Sequence, residues 1–190
     1  MKRHMTSAEI EARTARFADL ELMNPPIDRT TVSQDAMDVI FARKILPVIM
    51  ENTKNAFGDI GAIYGANGVT MNISVLPPQQ GPCLHAHNAT FETFVVLDGR
   101  VTFQIGPTER DQRVTLGKWD TFSCPPQIYR GFVNASDQKQ AVLLTVINGE
   151  PDSRDDVSVP PTITRHLREQ FGESVVEEFR KIADLPNTEK

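Results

Sequence analysis

The sequence predicts an all-β core, an antiparallel barrel or sandwich, with a helical extension at each end. Three observations lead there. Short runs rich in β-branched and aromatic residues recur between positions 69 and 147, each bounded by Gly, Pro or Asn. Almost no helical periodicity separates these runs, and many short strands without intervening helices favour antiparallel sheets. Helical periodicity sits instead near the two ends. At 190 residues, 39% hydrophobic and 24% charged, the chain suffices for one domain with a real core and is short for two.

Taken in order, the first element is a short amphipathic arm. Thr6 and Glu9 have the spacing of a capping box, and Ile10, Phe17 and Leu20 fall roughly on one helical face before Asn24-Pro25-Pro26 ends it. From about 32 to 57 the pattern is mixed. "DAMDVIFARKILPVI" suits a helix or a pair of short strands, and Pro47 interrupts either. The strand runs follow: "VTMNISVL" (69–76), "TFVVL" (93–97), "VTFQI" (101–105), "DTFSC" (120–124) and "AVLLTVI" (141–147). "LDGR" at 97–100 carries the Asp-Gly signal of a tight hairpin. After Pro160-Pro161, apolar residues at Leu167, Phe171, Val175, Phe179 and Ile182 mark an amphipathic helix, weakened at Gly172, whose stripe must cover the barrel or a second subunit.

Charge narrows the partners. A net charge of −5 without a Lys/Arg cluster argues against a nucleic-acid surface, which needs concentrated positive charge to displace counterions. No stretch approaches the ~20 apolar residues of a membrane span, and the basic N-terminal tip lacks the apolar region of a signal peptide. Two cysteines, Cys83 and Cys124, are too few for a disulfide framework. A cytoplasmic protein acting on a small molecule is the expectation.

The chemistry concentrates in "GPCLHAHNATFETFVVLDG", residues 81–99. In a strand, residues i and i+2 share a face, so His85 and His87 project together. Glu92 lies an odd number of residues beyond His87 and needs a turn at "NAT" to return to that side. Two imidazoles and a carboxylate would supply nitrogen and oxygen ligands at ~2.0–2.2 Å to a divalent first-row metal, leaving positions open. An H-x-H pair alone is often surface chemistry, so the wider pattern matters.

That wider pattern, "HAHNATFETFVVLDG" from His85 to Gly99, resembles the first cupin motif, H-x-H, three or four residues, Glu, six residues, Gly. His85, His87, Glu92 and Gly99 match it. Gln79 stands where the family usually has a further Gly. "WDTFSCPPQIYRGFVN", 119–134, lies in register with the second motif, where Pro125 and Asn134 match, Trp119 and Gln127 replace glycines, and Arg130 replaces the third metal-binding histidine. The resemblance covers about residues 60–148. It implies a small double-stranded β-helix (jelly-roll) barrel with a metal inside, commonly in a homodimer. Residues 1–57 then form a helical arm and irregular lead-in, 58–150 the cupin barrel, and 151–190 a helical extension.

Arg130 shapes the functional expectation. Arginine has no lone pair for a metal, so the ligand set becomes His85, His87 and Glu92, the composition of the facial triad of non-haem Fe(II) oxygenases. A guanidinium ~4 Å from a divalent ion is repelled by about 8 kcal/mol at an effective dielectric of roughly 20, which Glu92 and a bound anion would offset. Arg130 is therefore a candidate clamp for a carboxylate or enolate-like substrate. Equally, it can turn away into a salt bridge or toward solvent. The leading expectation is a non-haem iron dioxygenase. The alternatives are a Zn-, Mn- or Ni-dependent isomerase or lyase, and a cupin that only binds its ligand.

Other residues are secondary. Cys83 is a possible soft ligand but fits a small buried apolar residue better. Phe91, Phe94, Phe103, Phe122 and Phe132 read as barrel core, and Trp119 as narrowing the entrance or packing under the terminal helix. His4 and His166 read as surface residues.

Overall fold

The computed structural model describes residues 3–51, 60–106, 112–149 and 156–187. Residues 52–57 of the undecided stretch lie outside these. Near the N-terminus α1 (Ser7–Glu11) has the capping box its spacing predicts: Glu9 N donates to Thr6 Oγ1 and Thr6 N donates to Glu9 Oε2. The helix stops after five residues, too short to sustain itself without packing. Phe17–Asp19 is a separate 3-10 turn, and Ile10 and Phe17 stay exposed.

The undecided stretch resolves into one helix followed by one strand. Ser33 accepts from Ala36 N and caps α2 (Gln34–Ile40). The chain then enters β1 (Lys44–Met50), which contains Pro47. Pairing shifts register between Pro47 and Ile49, an irregularity of the kind at which a strand tolerates proline.

The remaining strands are β2 (Ile63–Tyr64), β3 (Val69–Leu76), β4 (Ala86–His87), β5 (Phe91–Asp98), β6 (Arg100–Ile105), β7 (Gln112–Gly117), β8 (Thr121–Cys124), β9 (Arg130–Asn134), β10 (Ala141–Asn148) and β11 (Val157–Ser158). Among the described residues they form a six-stranded sheet of order β2-β1-β3-β10-β5-β8, a three-stranded sheet β7-β6-β9, and the pair β11-β4. The Asp98-Gly99 turn is not the hairpin its sequence suggests. Strand β5 pairs with β10 and β8 while β6 pairs with β7 and β9, so Gly99 carries the chain from one sheet to the other. Its φ of +81 and the Ala141 Cα 3.0 Å from where a Cβ would stand both require glycine.

The two sheets enclose an apolar core in a jelly-roll arrangement. Phe94 of one sheet meets Phe103 and Phe132 of the other at centroid distances of 5.0 and 5.2 Å, with Val96, Val101 and Leu143 around them. Along β3 and β10 the inward positions change character. Leu76 and Leu143 lie in the apolar half, whereas Thr70, Asn72 and Ser74 on β3 and Thr145 on β10 are buried polar residues. Glu92 enters the same row on β5, opposite Ile147, which is opposite Thr70. One end of the interior is thus dry and the other polar.

The C-terminal stripe covers the molecule itself. It runs over α3 (Pro161–Phe171) and α4 (Glu173–Phe179), broken at Gly172. Leu167, Val175, Val176, Phe179 and Ile182 pack with Ile27, Val32, Ala36 and Met37 of the N-terminal lead-in into a second apolar cluster. The two ends of the chain together build a cap over the polar end. Two aromatics depart from expectation: Phe91 is 50% and Trp119 68% exposed, with Lys118 Nζ 5.6 Å from the Trp119 ring. His4 and His166 are exposed, as read from the sequence.

Candidate metal centre

Each functional side chain is placed by a backbone pairing. His85 and Arg130 form an antiparallel bridge in which each backbone N donates to the other's carbonyl at 2.9 Å. The second-motif arginine therefore stands directly across from the first-motif histidine. His87 lies in β4, held by β11 on one side and by Gln127 N donating to its carbonyl. The "NAT" turn then brings Glu92 back to the same side as the spacing required.

That turn is organised by Asp156, from the segment after the barrel. Asp156 Oδ1 accepts from Ala89 N at 2.7 Å and Thr90 N at 3.2 Å, and Oδ2 accepts from Thr90 Oγ1 at 2.7 Å. Oδ2 also lies 2.8 Å from His87 Nδ1. Burial pushes the Asp156 carboxyl up, but these hydrogen bonds prevail and hold it at about 2. A carboxylate 2.8 Å away favours the His87 tautomer with its proton on Nδ1. His85 Nδ1 faces the Cys83 carbonyl at 2.9 Å, an acceptor with the same effect.

Both imidazoles consequently present Nε2 lone pairs, and both face one oxygen. Glu92 Oε2 is 3.6 Å from His85 Nε2 and 3.7 Å from His87 Nε2. Three acceptors turned on one another repel unless a cation lies among them. Ligands about 2.1 Å from an ion at angles near 110–120° sit roughly 3.4–3.6 Å apart, so the donor set fits a divalent metal. Burial, reinforced by the Arg130 charge, lowers the His85 pKa and keeps the ring neutral. Burial alone would raise Glu92, yet the Arg130 charge beside it pulls it well below the usual carboxylate range. Among the described residues His85, His87 and Glu92 are the group able to hold a metal.

Arg130 is fully buried. Its Nε and Nη2 lie 2.9 and 2.5 Å from Glu92 Oε2, and Nη1 lies 3.5 and 3.4 Å from the carbonyls of His85 and Ile128. The guanidinium is committed to the Glu92 carboxylate, and the cavity beside the site is lined by Glu92 and both histidines without Arg130. Cys83 lends its carbonyl to His85. Burial pushes its thiol up to about 12, and its sulfur is not part of the His85, His87 and Glu92 group.

The cavity, about 110 Å³, opens between the polar end of the barrel and the cap. Ile40 and Phe41 from the lead-in and Val157, Val159 and Ile182 from the C-terminal segment give it apolar walls. Asn72, Ser74 and Thr145 line its barrel side. Sequence reasoning missed Asp156, Thr90, these three polar residues and the cap. For the inward polar residues a signal existed, since they alternate with apolar neighbours in strand runs. Asp156, 69 residues from His87, carried none.

Residues 72–147 match the family model described as a cupin domain. No curated protein matches the chain. Among solved structures, an uncharacterized conserved protein with a double-stranded beta-helix domain from Klebsiella pneumoniae is similar at 17% identity and a TM-score of 0.41, over 46% of this chain and 73% of that one. A predicted oxalate decarboxylase from Thermotoga maritima shows 21% identity and a TM-score of 0.40, over 44% and 69% respectively. An oxalate oxidase in complex with the substrate analogue glycolate shows 20% identity and a TM-score of 0.42, over 60% of this chain and 62% of that one. No helix among the described residues is long and apolar enough to cross a membrane.

Proposed function

Taking as premise that this chain belongs to the cupin superfamily through residues 72–147, we propose that it is a metal-dependent enzyme for a small anionic substrate, a non-haem iron dioxygenase of the oxidoreductase class. The observation that carries this reading is the convergence of two Nε2 lone pairs on Glu92 Oε2, each imidazole fixed through Nδ1 by an acceptor behind it. His85, His87 and Glu92 would hold Fe(II), which would supply Lewis acidity and the redox chemistry that activates O2.

The chain's own residues set the rest. Asp156 and the Cys83 carbonyl orient the imidazoles, and the cap keeps bulk water out. Arg130 acts through its charge. A divalent ion counted with Glu92, Arg130 and Asp156 leaves one positive charge beside an apolar cavity, and a bound carboxylate or enolate cancels it. Without Arg130 the same cluster would be neutral. The donors of Arg130 are engaged by Glu92, so its contribution to anion binding is charge compensation in place of a bidentate grip. In a dioxygenase both oxygen atoms enter the product, so the substrate supplies the electrons and no second reductant is needed.

Two free cysteines suit the reducing cytoplasm, and the exposed apolar side chains of Ile10, Phe17 and Leu22 suit a homodimer. The test is metal content by mass spectrometry on protein purified without an affinity tag, followed by oxygen uptake with small keto and hydroxy acids. Near-stoichiometric iron, absent from the His85→Ala/His87→Ala variant, together with oxygen uptake supports the reading. Zinc, manganese or nickel with turnover in the absence of O2 would instead support an isomerase or lyase, which the same two-nitrogen, one-oxygen donor set serves. Ligand binding without turnover would leave a binding protein.

A further inference from the structure

The cavity has a second polar wall that no part of the metal chemistry uses. Asn72 on β3 and Thr145 on β10 stand directly opposite one another in the antiparallel register. Both side chains point inward, line the cavity, and are almost wholly buried, at 4% and 2% exposure. The hydrogen bond of the Asn72 side chain among the described residues is to its oxygen, from Ser74 Oγ at 3.4 Å. With the amide oxygen toward Ser74, Nδ2 faces the cavity, and neither it nor Thr145 Oγ1 has a hydrogen bond shown among the described residues. Thr70 Oγ1, next in the same inward row, is a buried hydroxyl with no partner among the described residues. The row is therefore not a self-satisfied structural network, and buried donors without partners are costly to maintain.

Position gives these donors a meaning. Strand β10 separates β3 from β5, so Asn72 is two strands from Glu92 and two residues along. At the usual strand spacing that is on the order of 10 Å between backbones, narrowed by side chains leaning into one cavity. A short aliphatic chain spans what is left.

We propose that Asn72 and Thr145 are the specificity-determining residues of this site: they donate two hydrogen bonds to one carbonyl oxygen at the end of the substrate remote from its metal-bound anionic group. The inference rests on the metal-site reading above and narrows the substrate class to short keto acids or their amides, with the carbon chain against Ile40, Val159 and Ile182. A carbonyl oxygen has two lone pairs and no proton, which matches two donors on facing strands. A hydrocarbon end would leave both donors unpaired.

Two measurements test this, one of them independent of metal. Thermal melts of the metal-free protein compare native, Asn72→Leu and Thr145→Val. Residues kept for a ligand leave the melting temperature unchanged or raised when replaced by apolar residues of similar size. A fall of several degrees in both variants would assign them a structural role and overturn the proposal. Calorimetric titration of the zinc-loaded protein then compares 4-oxopentanoate with pentanoate, which differ by the one carbonyl. The native protein is expected to bind the oxo acid about five- to tenfold more tightly, as one or two neutral hydrogen bonds allow. Asn72→Leu is expected to erase that preference while leaving pentanoate affinity in place. Equal affinities in the native protein, or a preference retained in Asn72→Leu, would overturn the proposal. If zinc is taken up stoichiometrically and neither acid binds, the anionic-substrate reading fails, and the melts alone decide whether Asn72 and Thr145 serve a ligand.

Discussion

Arg130 and Glu92 are joined through a single carboxylate oxygen: Nη2 lies 2.5 Å and Nε 2.9 Å from the same Oε2 that faces both imidazoles. One oxygen thus serves as counter-ion to the arginine and as the proposed metal ligand. Arg130→Met leaves that carboxylate buried without its partner. The metal-free variant is expected to lose about 3–5 kcal/mol, and zinc to restore part of it by supplying the missing positive charge. Urea melts in chelator and in zinc measure both effects. Equal losses under the two conditions would mean that no ion binds beside Glu92.

Asp156 reaches His87 Nδ1 while holding the Ala89 and Thr90 amides. Asp156→Asn keeps the size but removes the charge that fixes the imidazole. Metal affinity is expected to fall about 10–100-fold, with far-ultraviolet circular dichroism unchanged. Competition against a chelating dye reads the affinity. An unchanged constant would remove Asp156 from the metal site.

Gln79, Trp119 and Gln127 hold φ values of 59, 73 and 64, the left-handed region that side chains adopt at a cost of about 1–2 kcal/mol. At these three positions the motifs of the resembled family have glycine and this chain does not. Trp119→Gly, which also removes an exposed indole, is expected to raise stability by about 0.5 kcal/mol after the unfolded chain's added entropy is subtracted. Gly81→Ala tests the opposite case. A Cβ there would stand 1.9 Å from the Phe132 carbonyl oxygen, and loss of several degrees in melting temperature, or failure to fold, is the expected result.

Phe179 is fully buried in the cap cluster, 6.4 Å from Phe41. Phe179→Ala is expected to cost about 3–5 kcal/mol. Since Cys83 packs against that cluster and lines the cavity, its labelling by a thiol reagent should accelerate in the variant well before global unfolding. Labelling at the native rate would show that the cap does not govern access.

The legible part of this molecule was its local part. Five strand runs and the His85, His87 and Glu92 cluster follow from periodicity and spacing within short windows. So does the break at Gly172, where a helical stripe meets the residue least suited to continue it. What escaped is set by tertiary pairing. Asp98-Gly99 looks like a hairpin because its local chemistry is that of a tight turn, yet both flanking strands find better partners in different sheets. Residues 34–50 were ambiguous because helix and strand abut without a glycine between them. Arg130 could be placed in register but not aimed, because only the fold decides that its nearest carboxylate is Glu92. Asp156 lies in an acidic stretch that resembles a solvated surface until β11 pairs with β4.

That pairing of β11 with β4, Val157 opposite His87, ties two events together. The segment leading into the cap is anchored on the strand that bears His87, with Asp156 immediately before it. Opening the cap wide enough to pull β11 away also withdraws the carboxylate that orients His87. If the proposed ion binds, linkage requires that whatever favours it also favours the β11–β4 pairing, and that whatever separates these strands loosens the ion by the same free energy. Metal exchange and admission of larger molecules would then share one gate.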